Sequence, residues 1–179
     1  MMRLLNRYQT LFGLIIFFAA PVVALEKPTD PRQVVARMIQ AMNTLNYQGT
    51  VALLRNGKLE TMKLTHAVKD GVEQERLSAL NSPLRKIIRN GDKVMCVFQK
   101  SNELVIDHQP LRRSFFLNMP EDVKVLDEYY NFSFNGEEKV AMRPTRVVYI
   151  RPKDQFRYAR KIWIDQENFL PLKFEMLDN

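Results

Sequence analysis

Residues 59–71 read LETMKLTHAVKDG, and their period is two. Met62, Leu64, His66 and Val68 fall on one face of an extended chain, with Thr61, Lys63 and Thr65 on the other. Side chains of a strand alternate between faces, so this pattern predicts a half-buried strand. Asp70-Gly71 ends it, a pair that tolerates the positive φ of a tight hairpin. Asn56-Gly57, Asn90-Gly91 and Asn135-Gly136 repeat the signal along the chain. In KVMCVF (93–98), Val94, Cys96 and Phe98 alternate with Met95 and Val97. Both faces are apolar there, which predicts that both are covered, with Cys96 a buried small side chain.

Other elements fit around these hairpins. Asp30 and Pro31 suit the cap and first position of a helix. Val34, Val35, Met38, Ile39 and Met42 then recur at three- and four-residue spacing, and Asn43 to Asn46 marks the end. A short second helix is predicted near Pro120, where Glu121 and Asp122 favour the positive end and Val123, Leu126 and Tyr130 form a stripe. KVAMRPTRVVYIRP (139–152), QFRYARKIWID (155–165) and FLPLKFEML (169–177) read as later strands, with a turn over Asp165 to Asn168. Pro144 and Pro171 suit edges or bulges. The class is therefore mainly β with helices. A long antiparallel meander, an open or closed curved sheet, is predicted, its concave side filled by the N-terminal helix or by a ligand.

The first 24 residues read as an export signal. Arg3 and Arg7 precede LFGLIIFFAA (11–20), and small residues at Val22 and Ala24 suit cleavage after Ala24. The apolar run is short for a membrane span, and no later stretch approaches that length. Cleavage leaves one domain from Leu25 to Asn179, and the loss of Arg3 and Arg7 takes the net charge from +7 to +5. The expected location is the periplasm, which removes nucleic acid from consideration. One Cys and two His exclude a disulfide framework and leave little from which to build a metal centre.

No H-E-x-x-H helix, G-x-S-x-G elbow, P-loop or G-x-G-x-x-G occurs. Hydrolysis is left one route, His66 and His108 brought together by the fold; Asp107 and His108 diverge as neighbours on an extended chain. We expect structural or surface histidines, no enzyme, no cofactor and no metal. Arg85-Lys86, Arg112-Arg113, Arg143, Arg146, Arg151, Lys153, Arg157, Arg160 and Lys161 are either solvated strand faces or a positive surface for an acidic peptide or a phosphorylated glycolipid. The cluster Phe115-Phe116-Leu117-Asn118-Met119 is either ordinary core or the rim of an apolar pocket.

LNYQGT (45–50), LETMKLTH (59–66) and GVEQERLSALNSPLRKIIRNGDKVMC (71–96) resemble the N-terminal domain of the sigma-E regulatory proteins RseB and MucB. The stretch from Tyr129 to Asn179, with IWID and LPLKFEMLD, fits the same family in the same order. The resemblance implies a strongly curved antiparallel sheet, a half-open barrel with the N-terminal helix covering its concave face, similar to the lipoprotein carriers LolA and LolB. It also implies a periplasmic negative regulator of the envelope stress response that binds the periplasmic part of an anti-sigma factor. In that role lipid, lipopolysaccharide fragments or mislocalised lipoprotein weaken the grip. Family members continue into a smaller C-terminal domain that also contacts the anti-sigma factor, and none of it is expected within these 179 residues. Met38, Ile39, Met42, Phe115, Phe116 and Phe132 are the expected lipid contacts. The rivals are a lipid or lipoprotein carrier without anti-sigma contact, an envelope hydrolase, and a remnant without a partner.

Overall fold

The chain is described here by a computed structural model covering residues 28–81, 85–91, 93–98, 104–107, 119 and 122–178. The expected signal segment and the Phe115-Phe116 cluster lie outside the described residues. Helix α1 runs Pro31–Thr44. Asp30 caps it, its carboxylate accepting from the Arg32 N–H at 2.8 Å, and Pro31 fills the first turn where no N–H is needed. Val34, Val35, Met38, Ile39, Ala41 and Met42 are buried along one stripe, as the spacing predicts.

Two antiparallel sheets follow. The first holds β1 (Tyr47–Arg55), β2 (Lys58–Lys69), β3 (Val72–Ala79), β4 (Arg85–Asn90), β5 (Lys93–Phe98) and β6 (Leu104–Asp107), in chain order. The second holds β7 (Tyr130–Val140), β8 (Arg143–Pro152), β9 (Ala159–Asp165) and β10 (Pro171–Leu177), also as a meander. Neither closes on itself, which fits the expected open barrel; the pairing is divided into two sheets rather than running through one. Helix α2 is a single turn, Lys124–Asp127, leading into β7. Val123, Leu126 and Tyr130 are all buried there, although Tyr130 already belongs to the strand.

Helix α1 touches both β2 and β7, so it lies on the inner side of both sheets. Its stripe meets Val148, Ile150, Ile162 and Ile164 on one face of the second sheet, with Phe132, Phe134 and Phe174 packed at the margin. Each such side chain contributes about 1.5–3 kcal/mol on leaving water. The opposite face of the same sheet is built around Trp163, which is 2% exposed. The ammonium groups of Lys161 and Lys173 stand 4.7 and 4.1 Å from its ring, and its indole N–H donates to Glu138 Oε2 at 2.8 Å. Long charged side chains thus cover an aromatic ring that faces away from the helix.

Three sequence expectations need correction. Asn135-Gly136 does not turn the chain. It forms a bulge inside β7, two residues opposite one, between the pairs Phe134–Val148 and Glu137–Arg146, with Gly136 at φ 87°. The hairpin turn comes instead at Ala141-Met142, both left-handed at φ 50° and 65°, and it splits KVAMRPTRVVYIRP into the end of β7 and all of β8. Pro144 therefore sits in an interior strand, but one residue before β8 begins to pair with β9. Among the described side chains of β5, Val94 is buried, while Met95, Cys96 and Val97 are half-covered. Among the described residues, the core cluster of α1 lies against the second sheet.

The turn after β9 is held by Asp165, buried completely. It accepts from Arg143 and from the backbone N–H groups of Glu167 and Asn168, the latter two at 2.8 and 3.1 Å. Burial opposes ionisation, but these hydrogen bonds outweigh it and hold the carboxyl below its ordinary value. A lowered value stabilises the fold above the unfolded carboxylate range and is lost as pH falls through the folded one. Asp165→Asn is expected to destabilise the domain at neutral pH, and urea midpoints of variant and parent should converge on acidification. Replacing Ala141-Met142 with Asn-Gly should add about 1 kcal/mol, because two side-chain-bearing residues leave a conformation that Asn and Gly adopt more readily. Met142 is 88% exposed, so no contact is lost with it.

Candidate functional site

The inner side has two unlike halves. Over the second sheet it is apolar. Met38 is fully buried, and Ile39 and Met42 are 9% and 8% exposed, in the cluster that Phe132 flanks. The structure thus brings together four of the six residues expected to contact lipid. Phe115 and Phe116 lie outside the described residues, but their near neighbour Met119 is buried in the same cluster. The four are in contact as packed core, so an occupant of this space must displace side chains. Two of them are methionines, which repack readily.

Arginines border this half. The guanidinium of Arg32 lies 5.4 Å from the Phe132 ring, Arg37 5.3 Å from Phe169, Arg146 4.2 Å from Phe134 and Arg160 5.5 Å from Tyr130. Arg32 is also paired with Asp127, which raises its pKa, and Arg146 donates to the Pro28 carbonyl. Arg37 has no carboxylate partner among the described residues. Of the other basic residues singled out, Arg143 and Arg157 are engaged with Asp165 and Asp154, while Arg151 stays exposed.

Over the first sheet the inner side carries a polar ladder. Tyr47, His66, Glu75 and Arg89 stand opposite one another on β1, β2, β3 and β4. His66, Glu75 and Arg89 are 2%, 1% and 6% exposed. The Tyr47 and His66 rings stack at 4.7 Å with 14° between their planes. Arg89 Nε donates to Glu75 Oε2 at 3.2 Å, and its terminal nitrogen donates to Glu73 Oε2 at 2.7 Å. Burial, then the charges of Glu75 and Glu73, push the Tyr47 phenol up. The ladder meets the helix at its exit. His66 Nδ1 lies 2.8 Å from the Leu45 carbonyl, and the Tyr47 hydroxyl 3.5 Å from that of Met42.

Sequence reading placed His66 on the correct face but did not assemble the ladder. The signal was present in the turns. Counting outward from Asn56-Gly57 sets Tyr47 opposite His66, and counting from Asp70-Gly71 sets His66 opposite Glu75. His66 is a structural histidine, and His108 lies outside the described residues.

The MucB/RseB N-terminal domain matches residues 30–179. The chain belongs to the MucB/RseB N-terminal domain family. It is 28% identical over 168 residues to the sigma factor AlgU regulatory protein MucB of Pseudomonas aeruginosa, covering 92% of this chain and 51% of that protein. To the sigma-E factor regulatory protein RseB of Haemophilus influenzae it is 29% identical over 167 residues, 87% of this chain and 50% of the relative. The solved complex of Pseudomonas aeruginosa MucA and MucB matches with a TM-score of 0.71 and 29% identity, over 84% of this chain and 52% of the MucB-like one. The chain therefore spans about half the length of the curated relatives it matches. MucB/RseB relatives are regulatory proteins, and the helix, open sheets and ladder above are the form their N-terminal domain takes in this chain.

Removing one partner from a buried ion pair leaves the other uncompensated, at a cost of about 3–5 kcal/mol. Arg89→Met should lose stability on that scale in urea unfolding. The double change Arg89→Met with Glu75→Leu should lose distinctly less.

Proposed function

We propose that this domain is the exported, periplasmic part of a negative regulator of an envelope-stress sigma factor, cut after Ala24. It binds the periplasmic segment of a MucA-like anti-sigma factor and carries out no catalysis. The observation that supports this best is the likeness, over 84% of the chain, to MucB solved together with MucA.

The regulating ligand is an acylated molecule: a lipid, a lipopolysaccharide fragment or a mislocalised lipoprotein. Its acyl chain takes the space bounded by Met38, Ile39, Met42 and Phe132, with Phe115 and Phe116 completing the contacts. Helix α1 fills that space in the closed state, so the acyl chain replaces contacts between helix and sheet. The arginine–aromatic pairs at the border meet phosphate by charge-assisted hydrogen bonds. A ligand shifts a binding equilibrium only by its difference in affinity between the two states. The acyl ligand must therefore favour the free domain over the complex.

Competition follows. Saturating an exported-form sample with lipopolysaccharide fragments should weaken binding of the anti-sigma periplasmic segment in calorimetric titration. Simultaneous, mutually indifferent binding defeats the reading, and lipid binding with no anti-sigma binding favours the carrier alternative. Each methylene removed from the acyl chain should weaken lipid binding about fourfold, since one buried methylene is worth about 0.8 kcal/mol.

A further inference from the structure

The polar ladder plays no part in that reading, and it leaves one buried oxygen unpaired. Two carboxylates, Glu73 and Glu75, share the single guanidinium of Arg89. The Glu75 side chain is completely buried, and its Oε1 accepts no hydrogen bond. Carboxylate oxygens sealed from water without a donor cost free energy comparable to a lost hydrogen bond to a charged group.

Among the described residues, the cross-strand row of this ladder runs from Tyr47 to Val94 and on to Asp107 of β6, which stands opposite Val94. From β1 comes the Tyr47 phenol, directed at the Met42 carbonyl. His66 stands opposite on β2. Its Nδ1 faces the Leu45 carbonyl, which only accepts, so Nδ1 carries a hydrogen. Glu73 lies on the same strand as Glu75, and Arg89 faces both from β4. Beyond Arg89, β5 presents Val94, which is apolar. The helix exit offers the Met42 and Leu45 carbonyls and no charge. Two carboxylates meet one guanidinium, and Oε1 of Glu75 is one hydrogen short of satisfied. An oxygen with no exposed surface is closed to a metal ion or an ammonium group, but not to a proton.

We propose that Glu75 is a buried proton-binding site, its carboxyl holding one proton in the folded domain at pH values where exposed carboxyls have lost theirs. Burial, opposed by Arg89 and His66, holds the Glu75 carboxyl above its ordinary value, in agreement with the geometry. A raised folded value gives stability that is complete below the unfolded value and is lost as pH rises through the folded one. Acid therefore tightens the ladder and alkali loosens it. Because His66 and Tyr47 hold the exit of α1, losing the proton frees the end of the helix that fills the interior.

The test uses the whole exported chain with 13C-labelled Glu side chains. In a pH titration one carboxyl carbon, assigned through the Glu75 backbone resonances, should keep the protonated shift to higher pH than the exposed Glu side chains. Urea unfolding should lose up to about tenfold in the folding equilibrium constant per pH unit between the unfolded and the folded value of this carboxyl. Glu75→Gln, which keeps the shape of the protonated acid, should lack that slope. A Glu75 carbon that ionises together with the exposed Glu side chains, or equal slopes in parent and variant, would overturn the proposal. Should the variant not fold, the carbon shift in the parent decides alone.

Discussion

One stripe of a 14-residue helix must be buried on one face of a four-stranded sheet, and the rest of the molecule is arranged around that contact. Without α1, the face made by Val148, Ile150, Ile162 and Ile164 would stand open to water. Among the described residues no second layer of strands covers it; the two sheets are open meanders that both touch the helix. A sandwich fills its interior with two rigid faces. Here one side of the interior is a single helix capped at its start by Asp30 and tied at its exit by His66 and Tyr47.

That arrangement divides the inner side by chemistry. Where the helix lies on the second sheet, contacts are apolar and weakly directional, so shape can change at modest cost. Where the chain leaves the helix and enters β1, contacts are hydrogen bonds and a shared guanidinium, and they fix position. The yielding half is where the acyl chain of the proposed function would sit, and the fixed half ties the exit of the helix to β1 and β2.

Legibility followed the range of the interaction. The helix, its cap, its stripe and the turns at Asn56-Gly57 and Asp70-Gly71 were readable because each rests on residues a few positions apart. Met38, Ile39 and Met42 were found for the same reason. Asn135-Gly136 misled because a left-handed glycine serves a bulge as well as a turn, and nothing local separates the two. Ala141-Met142 gave no turn signal; pairing of the flanking strands imposes a conformation that neither residue favours. The Glu75 cluster joins four strands over 43 positions, and its shared guanidinium and unpaired oxygen exist only once the hairpins are set side by side.

The only tryptophan in the chain is Trp163, held between two lysines on the side of its sheet turned away from the helix. Its fluorescence will follow melting of that outer surface and stay nearly silent when something enters beneath α1. A ligand screen that relies on native emission would pass over true binders, so an indole or dye introduced near Met42 makes the better probe.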